Sequence, residues 1–302
     1  MVRRGKRYTR PAVAYRILEI TLPVFGIVLL SYLYGRWRPT DMSAANRLNL
    51  VLFIPALIFY ALTERTGGDF APGSAALGAA AVILGSGLLA WPVARLAGWQ
   101  VRTLVPNAMF NNCGNLGIPL AVLAFGDGAL AVAIVLLVTS TALQFTLGLW
   151  LFSGRLDLPG LARHPMVLAT AAGVTAMALD WHAPAILLPG IEMLGEVAIP
   201  LMLVALGMRL ATGGFGDWRI GLAGGLLAPA TGLAVALPWV WLTDPGPGLA
   251  ANLILFAALP PAVMNFMLAD QFRQEPDAVA AIVAVGNVLA LAVVPAVLWF
   301  LL

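Results

Sequence analysis

The sequence predicts an all-α integral membrane protein of ten transmembrane helices, and three observations carry that prediction. Of 302 residues, 61% are hydrophobic and 10% are charged. Soluble domains carry roughly 25% charged residues, so a soluble fold of this length would lack the polar surface to cover its core. The apolar runs are continuous and do not alternate, which favours helices over the dyad pattern of an outer-membrane barrel. A span needs about 20 apolar residues, so ten spans use roughly 200 residues and leave short connections with no room for a soluble catalytic domain. Low charge argues against disorder, aperiodic glycine against collagen, and the single Cys113 against a disulfide scaffold.

The first span is placed at 15–35. The basic stretch Met1 to Arg10 before it resembles a signal peptide, but the apolar run that follows is too long for one and predicts an uncleaved span. The others are placed at 46–63, 74–97, 103–125, 128–152, 165–181, 188–210, 219–242, 249–271 and 276–301. Turn signals separate them: Arg36 to Asp41, Gly67-Gly68-Asp69, Gly126-Asp127-Gly128, Leu158-Pro159-Gly160, Gly213-Gly214-Phe215-Gly216 and Asp244 to Gly248. Weak self-similarity recurs at about half the chain length. Ile54-Pro55 is echoed by Ile199-Pro200, Pro119 by Pro261, and Trp150 by Trp299. The organisation this implies is a basic tail (1–14), a first five-helix repeat (15–154), a short central loop (155–164) and a second five-helix repeat (165–302). Five is odd, so the two repeats must be inverted relative to each other, an arrangement common in transporters.

The fourth span carries the densest polar cluster. Asn107-Ala108-Met109-Phe110-Asn111-Asn112-Cys113-Gly114-Asn115-Leu116-Gly117-Ile118-Pro119-Leu120 places four Asn, two Gly and a Pro within one span. Left unpaired in lipid, such groups cost several kcal/mol. Pro119 clashes one turn back, at Asn115, and the glycines weaken helix further, so a break is expected there. Interhelical glue is the bland alternative. In the ninth span Pro260-Pro261 forces a second break, with Asn265 beside it. Broken helices at matching positions point to a midplane binding site. Half-helix N-termini there suit an anion such as a carboxylate.

Asn112-Cys113-Gly114-Asn115-Leu116-Gly117-Ile118-Pro119 resembles the Asn-x-Gly-x-x-Gly-x-Pro signature of the auxin efflux carrier family. That family lies within the bile/arsenite/riboflavin transporter superfamily and includes bacterial permeases for malonate and similar acids. Leu259 to Val263 with Phe266 to Ala269 is similar to its ninth helix, and Pro23 and Ile54 to Leu57 fit the same pattern. The resemblance covers essentially the whole chain. It implies two inverted five-helix repeats with crossing broken helices four and nine at the substrate site, and a homodimer. It also implies that spans one, two, six and seven act as a scaffold against which the rest moves. Two departures bear on substrate: Asn115 stands where a bulky apolar residue is usual, and Gly286-Asn287 occupies a region often rich in Ser and Thr.

On this reading Asn111, Asn112, Asn115 and Asn265 contact the solute or its ion, while Gly114, Gly117, Pro119, Pro260 and Pro261 shape the crossing. Acids inside spans are candidates for ion coupling. Glu192 and Glu196 share one face of the seventh span, with Asn287 a further candidate and H+ or Na+ the ion, although hydration near an interface would also explain both acids. Asn49 and Gln144 read as glue, and Asp270 as facing water. His164 and His182 lack partners at metal-ligand spacing, so no metal and no cofactor are expected. No nucleophile-elbow, phosphate-loop or metalloprotease motif occurs, and the basic tail suits anionic membrane lipid better than nucleic acid. The expectation is a secondary transporter of a small organic anion in the inner membrane. An uncoupled facilitator or a non-transporting receptor are the alternatives, and an intramembrane enzyme has no residues to support it.

Connections on the first-loop side carry Arg36, Arg38, Arg47, Arg95, Arg102, Arg155, Arg163, Arg209, Arg219 and Arg273. Those on the other side, the tail apart, carry Arg65. The positive-inside rule places the first-loop side in the cytoplasm and both termini outside, against the pull of the basic tail. Epitope tags at each terminus are expected to be reached by antibody from outside intact cells; a cytoplasmic N-terminus overturns this topology.

Overall fold

The computed structural model describes residues 10–64, 72–154, 158–212 and 217–302. The tail through residue 9, Arg65, Arg155 and the turns at 67–69 and 213–216 lie outside the described residues. Helix α1 (Arg10–Trp37) is 28 residues long, more than enough to cross a hydrocarbon core of about 30 Å at ~1.5 Å per residue. Pro39 and Asp41 then turn the chain. The Asp41 carboxylate accepts from the Ser43 hydroxyl and, at 2.9 Å, from the Ser43 amide. Both bonds, the hydroxyl first, favour its charged form and hold its pKa below the ordinary value.

Helices α2 (Ser43–Glu64) and α3 (Pro72–Leu96) follow. The fourth predicted span is two pieces, α4 (Val101–Met109) and α5 (Cys113–Phe125). Next come α6 (Ala129–Ser153), a single turn at Leu158–Ala162, and α7 (Pro165–Ala178). Helices α8 (Leu188–Thr212) and α9 (Trp218–Thr243) lead to the ninth predicted span, again in two pieces, α10 (Pro247–Ala257) and α11 (Val263–Gln271). The chain closes with α12 (Pro276–Leu301). Among the described residues there is no strand, and seven helices (α1, α2, α3, α6, α8, α9 and α12) are long and apolar enough to cross a membrane. The broken pieces and the 14-residue α7 fall short of that length.

The break in the fourth span is not where the prolines and glycines suggested. It lies at Phe110-Asn111-Asn112, and Gly114, Asn115 and Gly117 are helical. The reason is a π-turn over Cys113–Gly117 that ends two residues before Pro119. Widening the helix there absorbs the proline's clash with the carbonyl of Asn115. The same device precedes Pro55, where the π-turn Asn49–Phe53 widens α2 along its length. Consequently Pro119 and Pro261 are not counterparts: Pro119 sits inside a half-helix and Pro261 in a break.

The helices pack in two groups. Helix α1 runs along α8, and α2 packs on α7 and α8. In the other group α9 lies along α12 and α3, and α3 along α4 and α6. The groups meet where α1 touches α5 and α12, where α8 faces the π-turn that opens α5, and where α2 and α7 touch α6. The α9–α12 contact depends on two glycines facing each other. A Cβ on Gly225 would stand 2.9 Å from the Gly286 Cα. Gly225→Val should therefore destabilise the protein by about 1–3 kcal/mol and lower its thermal unfolding midpoint in detergent. Gly26→Ala, with nothing within 4 Å of its new Cβ, should not lower it.

Candidate functional site

At the two breaks the chain is extended, and each break satisfies the other. The Asn112 amide donates to the Pro260 carbonyl at 2.7 Å, and the Ala262 amide donates to the Phe110 carbonyl at 2.9 Å. Asn111 and Pro261 thereby form an isolated antiparallel bridge. Pro260 and Pro261 have no N–H to offer, so their break can accept at Pro260 without leaving a buried donor unpaired. Gly117 lets the crossing close: a Cβ there would lie 2.7 Å from Leu259 Cδ1.

Around this bridge Asn111, Asn112, Asn265 and Asn287 are buried and hydrogen-bonded. Asn112 Nδ2 donates to Asn287 Oδ1 at 2.9 Å, and Asn287 Nδ2 donates to the carbonyls of Val283 (2.8 Å) and Pro261 (3.1 Å). Asn265 is fully buried. Its Nδ2 donates to the Phe110 carbonyl at 3.0 Å and to Asn107 Oδ1 at 3.2 Å, and its Oδ1 accepts from Gln144 Nε2 at 2.8 Å. Asn111 Nδ2 donates to the Phe256 carbonyl, while its Oδ1 has no partner. Asn107 continues the chain through its own Nδ2 to the Thr103 carbonyl at 2.7 Å, and the Thr103 hydroxyl donates to the Glu275 carboxylate. Hence Asn112 is brought to Asn287, and Asn265 to two amides not counted among the solute contacts, Asn107 and Gln144, the latter acting as the interhelical glue its sequence suggested. Asn107 stood in the same polar run. Gln144 was legible only as a lone polar side chain, and it sits in a π-turn of α6 (Gln144–Gly148).

Cys113, Gly114 and Asn115 open α5, with no side-chain cap. Among the described residues their amide N–H groups meet no oxygen acceptor; the nearest relief is the Cys113 sulfur, which the Cys113 and Gly114 amides and the Ser140 hydroxyl approach. Gly114 and Asn115 are partly exposed; a Cβ on Gly114 would stand 3.5 Å from Leu137 Cδ1 of α6 and 3.7 Å from Met202 Sδ of α8. Pro119 is buried behind them. On the far side of the π-turn a cavity of about 10 Å³ is lined by Cys113, Gly117, Leu136, Asn252 and Phe256 among others. The Asn252 Oδ1 is buried there without a partner.

The two acids are placed apart from the crossing. Glu192 is partly buried on α8 and accepts from the Tyr60 hydroxyl of α2, and Glu196 is exposed. His182 lies 3.5 Å from a Glu64 oxygen and 3.7 Å from Asp180. His164, beside the central connection, has its pKa lowered by burial and stacks on Phe145. Among the described residues no group of three or more His, Cys, Asp or Glu side chains could hold a metal.

Comparison with known proteins bears on this arrangement. The model of a family described as "Membrane transport protein" matches residues 16–158 and 150–299. A protein of Rhizobium meliloti (strain 1021) with the name "Putative malonate transporter" is 28% identical over an alignment of 317 residues. That alignment takes in 94% of this chain and 96% of the relative. The chain is thus a multi-pass membrane protein with transporter relatives along its length.

The network itself makes a prediction about stability. Asn265→Ala strands Gln144 Nε2, Asn107 Oδ1 and part of the Phe110 carbonyl's bonding, each about 1–3 kcal/mol if left unsatisfied. Asn112→Ala keeps the backbone bond to Pro260 and strands Asn287 Oδ1 alone. Thermal unfolding in detergent should show the first variant several degrees less stable than the second; equal midpoints would contradict the network.

Proposed function

The chain belongs to the membrane transport protein family, the auxin efflux carrier family that its fourth and ninth spans resemble, and from that premise we propose that it is a secondary transporter of a small organic anion. The observation that carries the reading is the start of α5. Three amide N–H groups without an oxygen acceptor among the described residues stand at the N-terminus of a half-helix, partly exposed at Gly114 and Asn115 and next to the neutral amide Asn112. A helix N-terminus carries roughly half a positive charge and offers donors aimed outward. In a low-dielectric site that suits a carboxylate. The printed name of the Rhizobium relative agrees with a dicarboxylate such as malonate; an auxin-like monocarboxylate satisfies the same donors.

The proposed mechanism is alternating access in the inner membrane. Ten spans in two inverted repeats build it, with the helices α1, α2, α7 and α8 as the scaffold and the group containing both broken spans moving against them. Supporting this is the division of the packing into those same two groups, and the order of long, long, broken and long helices that α2, α3, α4–α5 and α6 share with α8, α9, α10–α11 and α12. Asn112 and Asn115 are proposed to contact the anion and Asn111 to supply its free carbonyl oxygen to the site. Asn265 and Asn287 hold the crossing rigid; Gly114, Gly117, Pro119, Pro260 and Pro261 shape it. Glu192, hydrogen-bonded to Tyr60 on the scaffold, is the proposed proton-coupling group over exposed Glu196, and Asn287 Oδ1 is the proposed oxygen for a coupled cation. The fold carries out translocation without a chemical step, and a homodimer in membrane lipid is the proposed assembly.

Uptake of radiolabelled malonate and indole-3-acetate into proteoliposomes, with and without an imposed proton or sodium gradient, tests this. Wild type is expected to accumulate one of these acids. Asn112→Ala, which retains the backbone pairing, is expected to lose at least nine-tenths of that uptake while eluting as folded protein. Unchanged uptake by the variant removes the site assignment, and flux indifferent to either gradient marks an uncoupled facilitator.

A further inference from the structure

Arg209 lies near the C-terminal end of α8, where a cation relieves the negative end of the helix dipole. A side chain serving that end alone would extend into water. Arg209 is instead partly buried, and its guanidinium carbon lies 3.8 Å from the ring centroid of Phe266. Phe266 belongs to α11, the half-helix that leaves the second break, and follows Asn265 of the crossing network directly. The pair therefore bridges the two packing groups. Asp270, one turn after Phe266 on the same face of α11, acts on the arginine electrostatically. Yet among the described residues no carboxylate closes an ion pair with Arg209, and none of its N–H groups has a hydrogen-bond acceptor.

A guanidinium centred over an aromatic ring can still offer N–H donors to an anion. The face of α8 that carries Arg209 also reaches the crossing. Met202, Leu206 and Arg209 are spaced to share one face of α8; Met202 and Leu206 are buried, and a Cβ on Gly114 at the start of α5 would stand 3.7 Å from Met202 Sδ. Two turns of one helix thus lead from the half-helix N-terminus to the arginine. We infer that Arg209, seated on Phe266, is a second carboxylate-binding point that receives the anion at the end of the α8 face that packs toward the broken spans. This rests on the proposed transport of an organic anion. It adds a specific expectation: a dicarboxylate is met by a cation at the mouth and by helix amides and neutral side chains at the crossing.

The test has one arm that needs no substrate. In a Cys113→Ala background, Asp270→Cys places an exposed thiol beside Arg209. Its reaction rates with an anionic and a cationic methanethiosulfonate are compared with and without Arg209→Gln. The ratio of anionic to cationic rate is expected to fall about fivefold to tenfold in Arg209→Gln; an unchanged ratio overturns the inference. The second arm measures malonate uptake in proteoliposomes. Arg209→Gln is expected to raise the half-saturating concentration at least fivefold with the maximal rate changed less than twofold, and Arg209→Lys to recover part of it. An unaltered half-saturating concentration in Arg209→Gln overturns the inference. If the thiol ratio falls while wild type takes up neither malonate nor indole-3-acetate, the anion-receiving arginine stands and the proposed transport is what fails.

Discussion

Everything near the middle of this protein depends on two breaks in the chain repairing each other. A break at membrane depth exposes backbone donors and acceptors that lipid cannot satisfy, at a cost of several kcal/mol each. Here the Asn112 amide meets the Pro260 carbonyl and the Ala262 amide meets the Phe110 carbonyl. Neither break is tolerable alone. The pairing forces α4–α5 and α10–α11 to cross, and the crossing sets the directions of four half-helices. Gly117 under Leu259 and Gly286 under Pro261 are the close approaches that allow it.

Once the backbone is paired, the side chains at the crossing have little freedom. Asn265 ties together Gln144, Asn107 and the Phe110 carbonyl, and Asn287 ties Asn112 to Pro261. Neutral amides suit this place because each offers both donors and an acceptor without the desolvation cost of a charge. The charges are kept at the periphery, as with Arg209 over Phe266 and Arg16 donating to the Leu123 carbonyl at the end of α5.

Much of this was legible from the chain. Continuous apolar runs gave the helical membrane class, and the dense Asn-Gly-Pro run with the Pro260-Pro261 pair marked the two broken spans. The position of the first break was not legible. Pro119, Gly114 and Gly117 are strong local signals, yet a π-turn accommodates all three, and the chain opens three residues earlier because that is where the other break presents its carbonyl. Gln144 does serve as glue between helices, as its sequence suggested, but that Asn265 is its partner, and that of Asn107, was not legible. A single amide in an apolar helix reads the same whether it bonds its own backbone or a helix distant in sequence. Arg209 was read as an orientation charge, since nothing local to α8 announces the ring above it.

Composition, apolar run length and turn chemistry by themselves determined a polytopic helical protein with two interrupted spans, because burial in lipid and backbone satisfaction are demands that each segment meets on its own. Which break pairs with which, which amide faces which, and which charge leans across the boundary between the packing groups were decided only by tertiary structure. Those are contacts between residues about 60 to 175 positions apart, and no local preference encodes a partner at that range.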